Sequence, residues 1–147
     1  MMPATKPHES RKGSALIELS VVLPLLVLFV IGAVEFGRVY HAAITVANAA
    51  RAGAQFGTQE NQSTNFAGMT AAAQAEATDL GAIQSFPSQF CRCPDGSAPA
   101  CTGTCPGYGT PQVFVKDSVI KSITFLLKYP GLPPSVTVRR TATFRVQ

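Results

Sequence analysis

The sequence predicts an α+β chain. A long N-terminal transmembrane helix continues as a stalk, a second alanine-rich helix follows, and a small antiparallel β region carries a disulfide-bearing loop. Three observations lead there. Residues 19–34 hold no charged side chain and are bounded by Glu18 and Glu35. All 4 cysteines fall within the Gly/Pro-rich stretch 85–111. Residues 136–146 alternate between apolar and polar, the mark of a half-buried strand. The expected organisation is a leader over 1–13, a membrane helix over 14–37 and a head over 38–147. Within the head the stalk runs to about residue 57, the second helix covers about 66–80, the cysteine loop 85–111 and the β region 112–147.

The apolar helix comes first because its length is diagnostic. Residues 15–36 make a helix of about 22 residues, or roughly 33 Å at the helical rise. That matches a hydrocarbon core of roughly 30 Å. Leu, Val, Ile and Phe occupy every face, whereas a soluble surface helix keeps one face polar. Pro24 deletes one amide donor and leaves the Ser20 carbonyl without its helical partner, so a bend is expected there. Glu18 lies inside the apolar segment, where a carboxylate costs about 2.5–3.5 kcal/mol at a helix centre and less near an end. It must reach the headgroups or meet a neutralising partner.

Charge sets the expected orientation. The chain carries +4, of which Lys6, Glu9, Arg11 and Lys12 supply +2, three positives less one negative. Basic residues ahead of an apolar helix predict a cytoplasmic N-terminus and a head outside the cytoplasm, although Arg38 and Arg51 dilute the asymmetry. The leader has no apolar periodicity and is left out of fold reasoning. A secretory signal peptide is the rival assignment. Its cleavage motif is weak here, because Gly32-Ala33-Val34 ends in a branched residue and Glu35 follows at once.

The helix is expected to continue through residues 38–57. Val39, Ala43, Val46, Ala50 and Gly53 recur at helical spacing, with Arg38, His41, Thr45, Asn48 and Gln55 on another stripe. The apolar face is built of small residues, and Ala43/Ala47, Ala49/Gly53 and Ala50/Ala54 stand four apart, which admits another backbone closely.

The combination Gly13-Ser14-Ala15, Glu18, Leu23-Pro24, Glu35-Phe36-Gly37-Arg38 and Asn48-Ala49-Ala50-Arg51-x-Gly53-Ala54 resembles the TadE-like family, minor pilins or pseudopilins of the Tad (tight adherence) pilus system. Basic residues, Gly13, four residues, Glu18 and a long apolar helix also resemble the processing site of type IV pilin-like proteins. The resemblance implies that a prepilin peptidase cuts between Gly13 and Ser14 and methylates the new terminus. It implies that Glu18 meets the amine of a neighbouring subunit, and that membrane lipid, other pilins and Tad assembly proteins are partners. The implied location is the bacterial inner membrane, single-pass, with the head periplasmic or carried into an extracellular pilus.

Beyond Gly57 the chain turns polar. Residues 58–65 read as a loop, and Ser63, Thr64 or Asn65 is positioned to cap a helix over 66–80 that would bury Phe66, Met69 and Leu80, with Gly81 as its stop. Cys91, Cys93, Cys101 and Cys105 follow in an irregular segment. Outside the cytoplasm two disulfides are favoured. Cys91–Cys93 closes poorly, which leaves Cys91–Cys101 with Cys93–Cys105, or Cys91–Cys105 with Cys93–Cys101. A four-thiolate zinc site is the rival, but C-x-C-x7-C-x3-C departs from paired C-x2-C knuckles. Residues 112–116 suit a short strand. Residues 117–128 suit a short amphipathic helix capped by Asp117, with Val119, Ile120, Ile123, Leu126 and Leu127 at helical spacing. A turn over 129–134 leads to the terminal strand, in which Arg140 alone breaks the apolar face and which is expected to pair antiparallel with 112–116.

Function is bounded by what is missing from the pattern. His8 lies in the leader and His41 on a polar helical stripe, so no Ser–His–acid or Cys–His arrangement can be built. No glycine-rich phosphate loop follows a strand, and no cofactor is expected. Lys and Arg do not gather with interleaved aromatics on one periodic face of the linear sequence, so no nucleic-acid footprint is expected. The expectation is a component of pilus assembly that performs no reaction. The alternative is an uncleaved, membrane-anchored periplasmic binding or adhesion module whose cysteine loop contacts a ligand.

Overall fold

A computed structural model of the chain describes residues 12–127, 131 and 133–146. The expected leader thus lies outside the described residues, save the backbone of Lys12 and Gly13, as does part of the turn over 129–134. In chain order the elements are α1 (Lys12–Phe56), α2 (Phe66–Glu76), a 3-10 turn (Thr78–Leu80), β1 (Gln84–Arg92), β2 (Gln112–Thr124) and β3 (Ser135–Arg145). The chain forms two compact units, one up to Gly37 and one from Arg38 onward.

In the first unit the helix continues through Pro24. Ser20 Oγ donates to the Ile17 carbonyl at 2.7 Å, one turn back, a bond that keeps the hydroxyl satisfied in an apolar setting. The large side chains from Leu16 to Val30 are exposed on all sides.

The second unit is a helical layer on one face of a three-stranded antiparallel sheet of order β1-β2-β3. Its core cluster joins Ala42, Val46, Ala49 and Ala50 of α1 to Ala73 and Ala77, to Ile83, and to Val119, Ile123 and Val138 of the sheet. The small-residue face, read as packing either on its own head or on neighbouring subunits, is the core face of the head, and the second helix and sheet are what it receives. Two glycines measure how closely. A Cβ on Gly53 would collide with Asp117 Oδ2 and lie 3.0 Å from the Met69 carbonyl oxygen. One on Gly57 would lie 2.9 Å from Met69 Sδ and 3.3 Å from Val115 Cβ.

Asn65 caps α2, its side-chain oxygen accepting from the Gly68 amide at 2.9 Å. The α-helix stops at Glu76, short of the expected end, and a 3-10 turn carries the chain to Leu80. Gly81, at φ +66°, then turns it, a conformation suited to glycine. Met69 is fully buried as expected, but Phe66 stands at the first turn with 41% of its surface exposed.

Two expectations about the β region are overturned. The helix expected over 117–128 does not form among the described residues: residues 112–124 are one long strand, with Val115, Asp117, Val119 and Ile123 buried on its inner face. The cysteine segment is not irregular from residue 85, because Gln84–Arg92 is an edge strand paired to β2 from Gln84↔Ile120 to Arg92↔Gln112. Both misreadings have the same cause. The alternation in these strands is broken by polar residues on the inner face, and tertiary partners satisfy them. Asp117 accepts from Ser85 Oγ, and Lys121 Nζ donates to the carbonyls of Leu80 and Ala82 at 2.5 and 2.8 Å. Gln89 Nε2 donates to Ser63 Oγ at 3.1 Å. Pro87 is tolerated because β1 is an edge strand. The terminal strand pairs with β2 as anticipated, but over a longer ladder, from Phe114↔Arg145 to Thr124↔Ser135.

Candidate assembly helix and cysteine loop

The exposed surface of α1 is the first functional feature. Gly13 and Ser14 lie in its first turn, and Glu18 follows one turn later on the exposed surface. Glu35, 17 residues on and so about 25 Å along the axis, is only 6% exposed. Between them the large apolar side chains other than the half-buried Ile31 stand open, from Val22 at 47% to Phe29 at 75% exposed. A soluble core helix of such composition would be buried, yet the apolar window of this helix is not buried at all among the described residues. Apolar area left in water costs about 25 cal/mol per Å², so a surface of this kind requires lipid or protein around it. It is a candidate membrane span.

Residues 13–55 match the family model described as TadE-like protein. This segment contains the exposed apolar helix, Glu18 and the small-residue face whose packing has just been described. The TadE-like match associates the chain with Tad pilus proteins in general. No curated protein and no solved structure matches the chain. The TadE-like segment ends close to the end of α1, so β1, β2, β3 and the cysteine loop lie beyond it.

The cysteine loop forms the second feature. Of the two pairings left open, Cys91–Cys101 and Cys93–Cys105 are the bridges present, with sequence separations of 10 and 12 and Cα–Cα distances of 5.1 and 5.7 Å. All four sulfurs are thereby engaged. Cys91 and Cys93 are buried at the end of β1, so each bridge fastens the loop to the sheet. Short turns complete it. The Cys93 amide donates to the Ser97 carbonyl at 2.8 Å, and the Cys105 amide to the Gly109 carbonyl at 2.7 Å. Asp95 Oδ1 accepts from both the hydroxyl and the amide of Ser97, at 2.7 and 2.9 Å, and these bonds hold its carboxyl below the usual range.

A third feature was not anticipated as a site. Asp117 is fully buried beneath Gly53, with Ser85 Oγ donating to its two oxygens at 2.9 and 3.0 Å and the amides of Phe86 and Ser118 adding support. Burial pushes its pKa upward against the pull of those donors. The sequence held one pointer to it, an acid spaced by alternation between Val115 and Val119, but its position also fits a helix cap. His41, placed on the polar stripe, sits 3.6 Å from Asp79 in a shallow cleft of about 370 Å³ that Arg38 and Lys121 also line.

Proposed function

We propose that this chain is a minor pilin or pseudopilin of a Tad-type pilus assembly and secretion system, and that it works by membrane insertion and subunit packing with no reaction performed. The observation that carries the proposal is the coincidence of the TadE-like match with a helix whose apolar side chains stand exposed. A helix of this kind enters the inner membrane with its basic leader on the cytoplasmic side and the disulfide-bearing head in the periplasm. Prepilin peptidase then cuts between Gly13 and Ser14. Glu18, on the exposed surface of α1, pairs with the Ser14 amine of a neighbouring subunit once both helices lie in lipid or in a filament, where neutralisation of a carboxylate is worth most.

Two measurements test this. Intact-mass analysis of the membrane-extracted protein is expected to give a chain beginning at Ser14 with a methylated amine. Glu18→Ala is expected to abolish incorporation into the assembly while leaving membrane insertion intact. An intact leader together with unchanged assembly in Glu18→Ala would falsify the pilin reading and leave an uncleaved periplasmic binding or adhesion module.

A further inference from the structure

The register of the sheet collects side chains that are scattered along the sequence. Residues that point away from the helices are Phe86, Ser88, Phe90 and Arg92 on β1, Phe114, Lys116, Ser118 and Ile120 on β2, and Arg139, Thr141, Thr143 and Arg145 on β3. They form cross-strand rows. Phe90 and Phe114 stack at 5.3 Å with planes 12° apart, and Arg145 continues their row. Ser88, Lys116 and Thr143 make the next row, then Phe86, Ser118 and Thr141. No acidic residue occupies an outward position on any of the three strands. A shallow cleft of about 410 Å³ lies on this face, lined by Phe86, Ser88, Lys116, Ser118 and Arg139. Phe86 is 53% exposed at its edge.

We propose that this outer sheet face binds a single-stranded nucleic acid, its phosphates along Lys116, Arg139 and Arg145 and a base against Phe86. Charge complementarity selects a polyanion, because four cations share a face that has no acid. The aromatic rings select one that carries flat π-faces, since stacking on Phe tolerates any base. An acidic polysaccharide fits less well. Its anions would meet the same Lys, Arg and hydroxyl donors that phosphate oxygens take, but its sugar hydroxyls find no carboxylate acceptor on this face and its rings present no flat π-face to Phe86. Successive outward residues on a strand stand about 6.7 Å apart, close to the reach of one nucleotide of extended single strand. The cations lie along one track: Arg145 opposite Phe114, Lys116 one row further, and Arg139 opposite Ile120.

The test uses the full chain in detergent micelles and a fluorescein-labelled dT12 oligonucleotide, read by anisotropy. Binding is expected to weaken with salt at a log–log slope of about −2, as three phosphate contacts on a single strand give. Lys116→Glu and Arg139→Glu are each expected to weaken binding at least tenfold and to flatten that slope. Phe86→Ala is expected to weaken it about fivefold or more at every salt concentration with the slope unchanged. Circular dichroism and an intact-mass count of the disulfides show whether each variant is folded, and Ser122→Ala, outside the cleft, serves as a folded control with unchanged binding. Absence of dT12 binding at low salt overturns the proposal. So does insensitivity to Phe86→Ala, or a tighter affinity for heparin or for phosphatidylserine vesicles than for dT12, which would assign the face to an acidic polysaccharide or an anionic membrane.

Discussion

Replacing Gly53 by alanine separates a packed helix face from an open one with a single methyl. In an exposed helix, Gly→Ala stabilises by about 1 kcal/mol. At Gly53 the new Cβ would overlap Asp117 Oδ2, lie 3.1 Å from Asp117 Cγ and 3.0 Å from the Met69 carbonyl oxygen. None of these can yield cheaply. Met69 O belongs to α2, and the Asp117 carboxyl is held by Ser85 and by two strand amides. Overpacking costs about 1–3 kcal/mol, and displacing the buried carboxyl from a charged-group hydrogen bond costs about 1.5–3 kcal/mol more. After the gain in helix propensity the net loss is about 1.5–5 kcal/mol, or a fall of roughly 6 °C or more in the melting temperature of a head of this size. Thermal melts of the purified chain in one detergent, followed by circular dichroism, measure it. Gly37→Ala is the control: nothing stands within 4 Å of its Cβ, and the head is expected to melt unchanged. A Gly53→Ala head as stable as wild type, or more stable, would refute the close approach of α1 to the sheet.

Other expectations follow from the same geometry. Asp117 has a pKa raised by burial, so the native state holds its proton over a range of pH where the unfolded state, at about 3.8, has lost it. Its contribution therefore declines as pH rises from about 3.8 through the folded pKa, the reverse of a salt-bridged acid, and denaturant midpoints across that window should show the slope vanish in Asp117→Asn. Reducing the Cys91–Cys101 and Cys93–Cys105 bridges, or replacing Cys101 and Cys105 by serine, should cost about 2–3 kcal/mol per bridge on the chain-entropy model, read as a lower urea midpoint. Lys121→Met removes the donor to the carbonyls of Leu80 and Ala82 and should lower stability by about 1–3 kcal/mol, with faster hydrogen exchange beside the 3-10 turn.

The helical half of this protein is legible because its signals are local. The apolar run, the small residues spaced four apart and the cap depend on neighbours within a turn or two: α1 is where it was expected, and of the three candidate caps, Ser63, Thr64 and Asn65, it is Asn65 that caps α2. The β half was legible only at its end. Residues 136–146 alternate because only one face of β3 packs on the core, and no tertiary partner is needed to see it. In β1 the alternation is inverted, with Ser85, Pro87 and Gln89 inward and Phe86 and Phe90 outward, and the polar inner residues find their partners in Asp117 and Ser63. Such a strand has no signature that a linear reading detects.

The sequence by itself determined the long apolar helix with its bounding acids, the TadE-like motif and the confinement of the cysteines to one loop. These are properties of composition and short-range spacing, and any fold would preserve them. Tertiary structure alone decided three things: which cysteines pair, why Gly53 must lack a side chain, and which side chains share the outer face of the sheet. The last two rest on strand register, which brings Ser85 to Asp117 across 32 positions and sets Arg145 beside Phe114. A register is chosen by the whole sheet and the helices packed on it, so it is written in no single stretch of the chain.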